Sequence, residues 1–410
     1  MACVFTNLDL FMAIEEYTSL QPLCGTCSLF ATLKKYTNYK LDEYFSSMYY
    51  KDDVFRNRVL SNIFNPNKQL HLIFYDCDYI FDVSLFRNVC SLDLSECNYV
   101  KNVDELRHVT NLKLSYCKDV KNVDELGQVT NLNLTGCKNV VNVDKLGEVH
   151  TLNLTNCKNV VNVDKLGEVH TLNLSYCSKI KDFHALRHVR NLNLSGCNII
   201  DVSALKDVHT LNLSGCNLIK DFDVLAKVHT LDLTGCNITD ATALGHVHNL
   251  NLSHCKKLKN FSTLGNVHTL TLKCCMIDDV RGLETVHTLN LSCCKLIKNF
   301  NPLGDVNTLV LINCIISDVS GLGKVKDLDL SNCQSLRNVR PLANVHKLNL
   351  SFCKNIEDFS VLANVHTLDI SETMISNVSE LGNVDTLDLR FCHNVTDFSA
   401  LTTVRNLILH

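Results

Sequence analysis

The chain has 410 residues and a formal net charge of −4, and it exceeds the usual size of a domain with one hydrophobic core. This charge balance offers no basic surface for nucleic acid or for an anionic membrane. No apolar run reaches the ~20 residues that a membrane-spanning helix needs, and the first residues lack the basic start of a signal peptide. The sequence therefore predicts neither a nucleic-acid-binding protein nor a membrane protein.

Residues 1–66 contain no repeat, and their apolar spacing predicts helices. One helical face is formed by Leu10, Phe11, Ile14 and Tyr17. A later helix has Asp52 or Asp53 as its candidate N-cap. The stretch "NPNKQ" at 65–69 predicts a turn into the first strand.

The same N-terminal block resembles an F-box, a three-helix module that docks substrate adaptors onto a ubiquitin-ligase core. The residues that carry the resemblance are Leu8, Leu10, Phe11, Ile14, Leu20 and Leu23, followed by Leu29 and Phe30. The resemblance implies that residues 1–66 bind a ligase-core adaptor. The alternative is a helical cap over the core of the first repeat, which a solenoid needs at its ends.

From residue 67 onward the chain repeats one pattern, V-x-x-L-x-L-[ST]-x-C-x-x-[IV]-x-[DN]-[VF]-x-x-L-x-x. Residues 137–154 recur unchanged at 157–174. The first six spacings are twenty residues, and later ones are a mixture of nineteen and twenty. The seventeen repeats are marked by what we call the cysteine column: Cys77, Cys97, Cys117, Cys137, Cys157, Cys177, Cys197, Cys216, Cys236, Cys255, Cys275, Cys294, Cys314, Cys333, Cys353, Thr373 and Cys392.

The stretch V-x-x-L-x-L alternates apolar and polar residues, which predicts a short strand with one buried face. A unit of this length cannot bury that face alone, so neighbouring units stack into a parallel sheet over a continuous core. The pattern resembles the leucine-rich repeat, specifically the cysteine-containing repeats of F-box-type proteins and short internalin-like repeats. The resemblance covers residues 67–410. It implies an α/β repeat solenoid, an arc with a continuous parallel sheet on its concave face, turns or 3₁₀ segments on its convex side and a small helical N-terminal cap.

Three positions of the repeat have physical explanations. The Asp or Asn before the Val/Phe position caps the backbone two residues on and fixes a turn. The cysteine column predicts a buried ladder of thiols that fill space and donate to carbonyls of neighbouring loops. At the Val/Phe position, twenty-residue repeats often carry Phe, as at Phe300, whereas nineteen-residue repeats carry Val or Ala, as at Ala241. We therefore expect the shorter repeat to leave less room there.

The outward strand positions are mostly Asn, Thr and Ser, a solvated surface with few binding anchors. The second half departs from this composition, and the candidate partner-binding residues are Thr271, Lys273, Val310, Ile312, Asp327 and Lys347. The apolar pair Val310/Ile312 is the predicted contact patch. The alternative is sequence drift at positions that tolerate any side chain.

Nine repeats carry a histidine just before the strand: His150, His170, His209, His229, His248, His268, His287, His346 and His366. Strand spacing places neighbouring imidazoles roughly 5 Å apart. This column is either a pH-dependent array or an inherited, half-exposed position. His254, Cys274 and Cys293 share another column. A zinc site needs four ligands that converge on one point, and side chains in one column of a flat sheet do not converge. A Cys274–Cys293 disulfide under oxidation is the other reading.

The sequence contains no recognisable catalytic or phosphate-binding motif. It predicts a non-catalytic scaffold that binds a protein partner through the concave face, without cofactor or metal. The alternative is an F-box-type subunit of a ubiquitin ligase. Sixteen cysteines fall in one repeat column, unlike the irregular pairs of a secreted disulfide scaffold, and Asn-Leu-Ser/Thr strands would be glycosylation acceptors in the secretory pathway. Both observations favour a reducing, cytoplasmic location. The final strand, with Leu407 and Leu409, predicts weak self-association.

Overall fold

The computed structural model describes residues 38–63 and 65–409. The chain forms two compact units, of which the first ends at Asn198 and the second begins at Ile199. Most of the segment that resembles an F-box lies outside the described residues, and the proposed module at 1–66 stays a prediction.

Within residues 38–63 and 65–198, three helices precede the repeats: α1 (Glu43–Lys51), α2 (Asp53–Asn62) and α3 (Pro66–Gln69). The carboxylate of Asp52 accepts the backbone N–H groups of Val54 and Phe55, so the predicted N-cap of α2 is confirmed. Helix α1 is capped in the same way by Asp42 and was not predicted. The single turn α3 leads directly into the first long strand, as expected for 65–69.

The first unit contains eight strands, and every pairing between them is parallel and joins consecutive strands. They are β1 (Tyr39–Lys40), β2 (Leu70–Ile73), β3 (Ser91–Asp93), β4 (Asn111–Lys113), β5 (Asn131–Asn133), β6 (Thr151–Asn153), β7 (Thr171–Asn173) and β8 (Asn191–Asn193). Equivalent letters of successive repeats are Cα partners, such as Leu152 with Leu172.

The second unit repeats this arrangement with eleven parallel strands. They are β9 (Thr210–Asn212), β10 (Thr230–Asp232), β11 (Asn249–Asn251), β12 (Thr269–Thr271), β13 (Thr288–Asn290), β14 (Thr308–Val310), β15 (Asp327–Asp329), β16 (Lys347–Asn349), β17 (Thr367–Asp369), β18 (Thr386–Asp388) and β19 (Asn406–Ile408). The predicted parallel sheet of stacked repeats is therefore confirmed within each unit.

Each return segment is a turn or a short 3₁₀ helix, as the resemblance implied. In the first unit these helices are Ser84–Phe86, Asp104–Leu106, Asp124–Gln128, Asp144–Leu146 and His184–His188. In the second they are Ser203–Leu205, Asp223–Leu225, Thr242–His246, Leu264–Asn266, Asn301–Asp305, Arg340–Leu342, Ser360–Leu362, Leu381–Asn383 and Ser399–Leu401. In sixteen repeats the Asp or Asn before the Val/Phe position accepts the backbone N–H two residues on, which confirms the predicted cap.

The core is formed by the apolar letters of the repeat. Val169, Leu172 and Leu174 are at most 1% exposed, and the same positions are buried in the neighbouring repeats. Burying one such aliphatic side chain contributes about 1.5–3 kcal/mol. The predicted difference in size is also accommodated, because Phe300 is 1% exposed in a twenty-residue repeat and Ala241 is 0% exposed in a nineteen-residue one. Side chains of both sizes are therefore buried at this position.

Candidate functional site

The open face of each sheet is lined by the outward strand residues, and the Asn or Asp at the end of each strand is already hydrogen-bonded. In the repeat of β6, Oδ1 of Asn153 accepts the backbone N–H of Thr155 at 2.9 Å and its hydroxyl at 2.6 Å. In the next repeat, Ser175 is only 4% exposed, because its hydroxyl donates to Asn173 and lies 3.1 Å from that of Thr155. The Ser175 hydroxyl is therefore buried and already hydrogen-bonded within the sheet.

The cysteine column is a buried hydrogen-bonded ladder. From Cys117 to Cys392, thirteen thiols donate to the carbonyl of the Leu or Ile that ends the core strand of the preceding repeat, at 2.9–3.3 Å. Burial raises the pKa of the Cys157 thiol to about 12, so the thiolate that redox and metal chemistry require is scarce. Thr373 donates instead to Ile370 of its own repeat, at 2.7 Å. The predicted packing role of this column is confirmed.

The residue before the cysteine column has a positive φ in all seventeen repeats, a feature that we did not predict. It includes residues that rarely adopt this conformation, such as Tyr116 and Phe352. Glycine at 136, 196, 215 and 235 and asparagine at 156, 313 and 332 were the available signal. The conformation keeps the backbone N–H in the ladder, as for Tyr116, which donates to Thr135 O at 2.7 Å.

The six candidate partner-binding residues lie on four strands of the second unit, β12, β14, β15 and β16, or shortly after them. Thr271 pairs with Asn290, which in turn pairs with Val310, and Asp327 is the Cα partner of Lys347. Lys273, Ile312 and Lys347 are exposed, whereas Thr271, Val310 and Asp327 are partly exposed. The structure therefore brings these residues onto one region of the open face. Their role in binding stays a prediction.

Three further apolar side chains extend this region and were missed in the sequence. Met276, Leu296 and Ile315 are 54%, 41% and 52% exposed, and they lie in the turns that follow the cysteine column in three successive repeats. The signal was available for Met276 and Ile315, because most repeats carry a polar residue directly after the cysteine, as at Asn237 and Lys354, whereas Leu296 lies one position further on. Together with Val310 and Ile312, they define what we call the apolar patch of the second unit.

The histidine column forms a stack of exposed imidazoles. In the second unit His209, His229, His248, His268 and His287 follow one another with ring-centroid distances of 4.6, 4.8, 4.6 and 4.5 Å. The Nδ1 atoms of His209, His229, His268 and His287 lie 3.2–3.3 Å from the hydroxyl of the following threonine. Burial first, and then the charges of His287 and His248, lower the pKa of His268 below its ordinary value.

We expect this stack to make the second unit less stable in mild acid. Because the pKa of His268 is lower in the folded chain than its ordinary value of 6.5, the unfolded chain binds more protons, and stability falls as the pH drops through 6.5. The urea midpoint is measured at pH 7.5 and pH 5.5 for the native chain and for His268→Asn, since Asn307 occupies this column naturally. The variant should lose less stability on acidification. An equal loss in both chains would contradict a role for the stack.

Within the described residues, no helix is long and apolar enough to cross a lipid bilayer. No group of three or more His, Cys, Asp or Glu side chains in that part of the chain is arranged to hold a metal ion. The residues that carry the F-box resemblance, from Leu8 to Phe30, all lie outside the described part.

Comparison with known proteins agrees with this geometry. A family model for two copies of the leucine-rich repeat matches residues 187–227. The structure of the TLR13–ssRNA13 complex is similar, with 19% identity, coverage of 86% of this chain and 71% of that chain, and a TM-score of 0.50. An internalin, InlF, from Listeria monocytogenes shares 21% identity over 74% of this chain and 88% of its own, with a TM-score of 0.42.

The functional domain of InlJ from the same organism, which includes a cysteine ladder, shares 16% identity over 73% of this chain and 72% of its own, with a TM-score of 0.43. A comparison with curated proteins finds no significant match. The repeats of this chain are leucine-rich repeats, and the chain has the fold of that class.

Proposed function

We propose that this chain is a non-catalytic scaffold that binds a protein partner through the apolar patch of its second unit. The observation that carries the proposal is the position of Val310 and Ile312. On the other strands of this face in the second unit the outward residues are Asn, Thr and Asp, with Lys347 and Ile408 as the exceptions, and Ile312 is 36% exposed. Exposed apolar side chains that are grouped within a polar surface are typical of interaction sites.

The surroundings of the patch indicate the chemistry of the partner. Lys273 and Lys347 are exposed on either side of Val310 and Ile312. Asp327 lies on the strand between Val310 and Lys347. A partner with an apolar anchor and a mainly acidic rim would complement this surface. Binding of a polyanion is not favoured, because the chain has a net charge of −4.

We also propose a reducing, cytoplasmic location. No disulfide joins any of the nineteen cysteines in the described part of the chain. The Asn-Leu-Ser/Thr strands would be glycosylation acceptors in the secretory pathway. Their Asn side chains are already engaged within the sheet, as for Asn212, which accepts from the N–H and hydroxyl of Ser214.

Affinity capture with the full chain tests the proposed surface. The double substitution Val310→Asp/Ile312→Asp removes apolar area worth about 1.5–3 kcal/mol per fully buried side chain and leaves unpaired carboxylates in the interface. We expect capture of the specific partner to fall at least ~10-fold. Quantitative mass spectrometry of the captured proteins provides the measurement.

A matched control places the same charges on the open face of the first unit, as Asn193→Asp/Ser195→Asp. Asp occurs naturally at the first of these positions, for example at Asp232, so this control should keep both the fold and the partner. Unchanged capture by the Val310/Ile312 variant, or equal loss in both variants, would remove the proposed surface.

A further inference from the structure

Cys274 and Cys293 differ from the thiols of the cysteine column. They occupy the same position in adjacent repeats, one residue before the buried Cys275 and Cys294, and both are partly exposed. The ladder thiols donate to carbonyls in the core, as Cys275 donates to Leu252 O at 3.1 Å. Cys274 and Cys293 are therefore the accessible members of a group of four neighbouring sulfurs.

The backbone holds these two residues in register. Thr271 of β12 is the Cα partner of Asn290 of β13, and each cysteine follows its strand residue by three positions. Both have a positive φ, 58° at Cys274 and 63° at Cys293. The Cys274 N–H donates to Ser292 O at 2.9 Å, so the two positions are separated by the spacing of adjacent strands, about 5 Å. Disulfides span Cα atoms at such separations, roughly 4.4–6.8 Å.

The two side chains interact directly. Burial first, and then the charge and hydrogen bond of Cys293, raise the pKa of Cys274, while the ammonium groups of Lys273 and Lys256 oppose this effect. The side-chain amide of Asn313 donates to Sγ of Cys293 at 3.7 Å. The two lysines therefore offset only part of the effect of burial on Cys274, and it is exposure that distinguishes this pair from the buried ladder thiols.

We propose that Cys274 and Cys293 form a reversible intrachain disulfide when the protein meets a low-molecular-weight disulfide. One thiolate attacks the reagent, its sulfur–sulfur bond breaks, and one reagent thiolate leaves, so that a mixed disulfide remains on the protein. The second cysteine thiolate attacks the protein sulfur of that mixed disulfide and releases the second reagent thiolate. In total, two protein thiols lose two protons and two electrons, and the reagent is reduced to two thiols.

The cross-link would join two adjacent repeats beside Thr271, Lys273 and Ile312. It would therefore fix the edge of the apolar patch in response to oxidation. The reaction itself needs no partner protein, so its test is independent of the proposed binding function.

The full chain is incubated with oxidised glutathione at pH 8, and non-reducing peptide mapping with fragmentation locates the modified cysteines. We expect a Cys274–Cys293 link that dithiothreitol reverses, formed at least ~10-fold faster than any modification of the ladder thiols. Cys275 and Cys294 are internal controls, because burial raises the pKa of each to about 12.

The variants Cys274→Asn and Cys293→Asn separate the two steps. Asparagine occupies this position at positive φ in Asn156, Asn313 and Asn332, so both variants should fold. Each should stop at a stable mixed disulfide with glutathione on the remaining cysteine. Glutathione on both cysteines of the native chain without a link, a link through Cys275 or Cys294, or no oxidation of the pair would overturn the proposal.

Discussion

Phe300→Ala should lower the free energy of unfolding by about 3–5 kcal/mol, the usual cost of removing a fully buried phenyl group. Phe300 is 1% exposed and directly precedes the 3₁₀ helix Asn301–Asp305. The adjacent repeats, which are one residue shorter, carry Val280 and Val319 here, and both are buried. They leave no large side chain nearby to fill the cavity, so the loss should approach the upper part of this range. Urea denaturation provides the measurement.

The same substitution at Phe398 is the matched control for Phe300. Phe398 occupies the same column but is 39% exposed, so its removal should cost clearly less. If both substitutions lower the urea midpoint equally, burial within the longer repeat is not what makes this position important.

Gly147→Ala should destabilise the first unit by about 1–3 kcal/mol, because an added methyl group has no space. A Cβ at Gly147 would overlap the backbone oxygen of Lys165 in the next repeat. The backbone of Gly147 has φ −63° and ψ −20°, which alanine adopts readily. With space available, alanine would instead stabilise this position by ~0.4–1 kcal/mol, since it restricts the unfolded chain. The sign of the change in urea midpoint therefore distinguishes the two cases.

Ala226→Gly tests the same column in the reverse direction. Ala226 is the residue equivalent to Gly147 in its own repeat, and its φ of −56° and ψ of −20° are close to those of Gly147. That repeat accommodates the methyl group of the alanine side chain. Its substitution should cost less than ~1 kcal/mol. A stabilised Gly147→Ala variant would show that the repeats separate easily, which contradicts close stacking.

The stacking of the repeats could be predicted because each local signal agrees with the next. The alternating letters, the Asp/Asn caps and the cysteine column each specify one position of the unit, and their recurrence fixes the register between neighbours. Thr373 keeps a small buried donor in the cysteine column, although its hydroxyl donates within its own repeat. Because the same signals recur in seventeen repeats, the sequence predicts the register between neighbours, which one repeat alone could not.

The sequence did not predict the bounds of helix α1, because its buried face contains a polar residue. Ser46 is 0% exposed and Tyr49 is 2% exposed, so a hydroxyl-bearing serine lies on the buried face of the helix. The hydroxyl of Ser46 donates to Leu41 O at 3.3 Å and accepts the Ile73 N–H at 2.9 Å. These bonds replace apolar packing where the helix meets β2, and only the tertiary structure reveals them.

The candidate site was only partly visible in the sequence. Val310 and Ile312 stand out because the strand period assigns them to the open face. Met276 and Ile315 lie in turns, where sequence period does not determine which way a side chain points. The positive φ before the cysteine column redirects the chain at each of these turns, and this conformation is occupied by residues as different as Tyr, Cys and Glu.

The central claim is that the residues common to all repeats specify stacking, whereas the residues that differ from this common pattern specify binding. The most direct test restores the common letters in one repeat with Val310→Asn/Ile312→Ser, since Asn290 and Ser292 occupy these positions in the preceding repeat. Affinity capture should lose the specific partner. The free energy of unfolding, measured in urea, should stay within ~0.5 kcal/mol of that of the native chain. Full capture of the partner by this restored chain would contradict the claim.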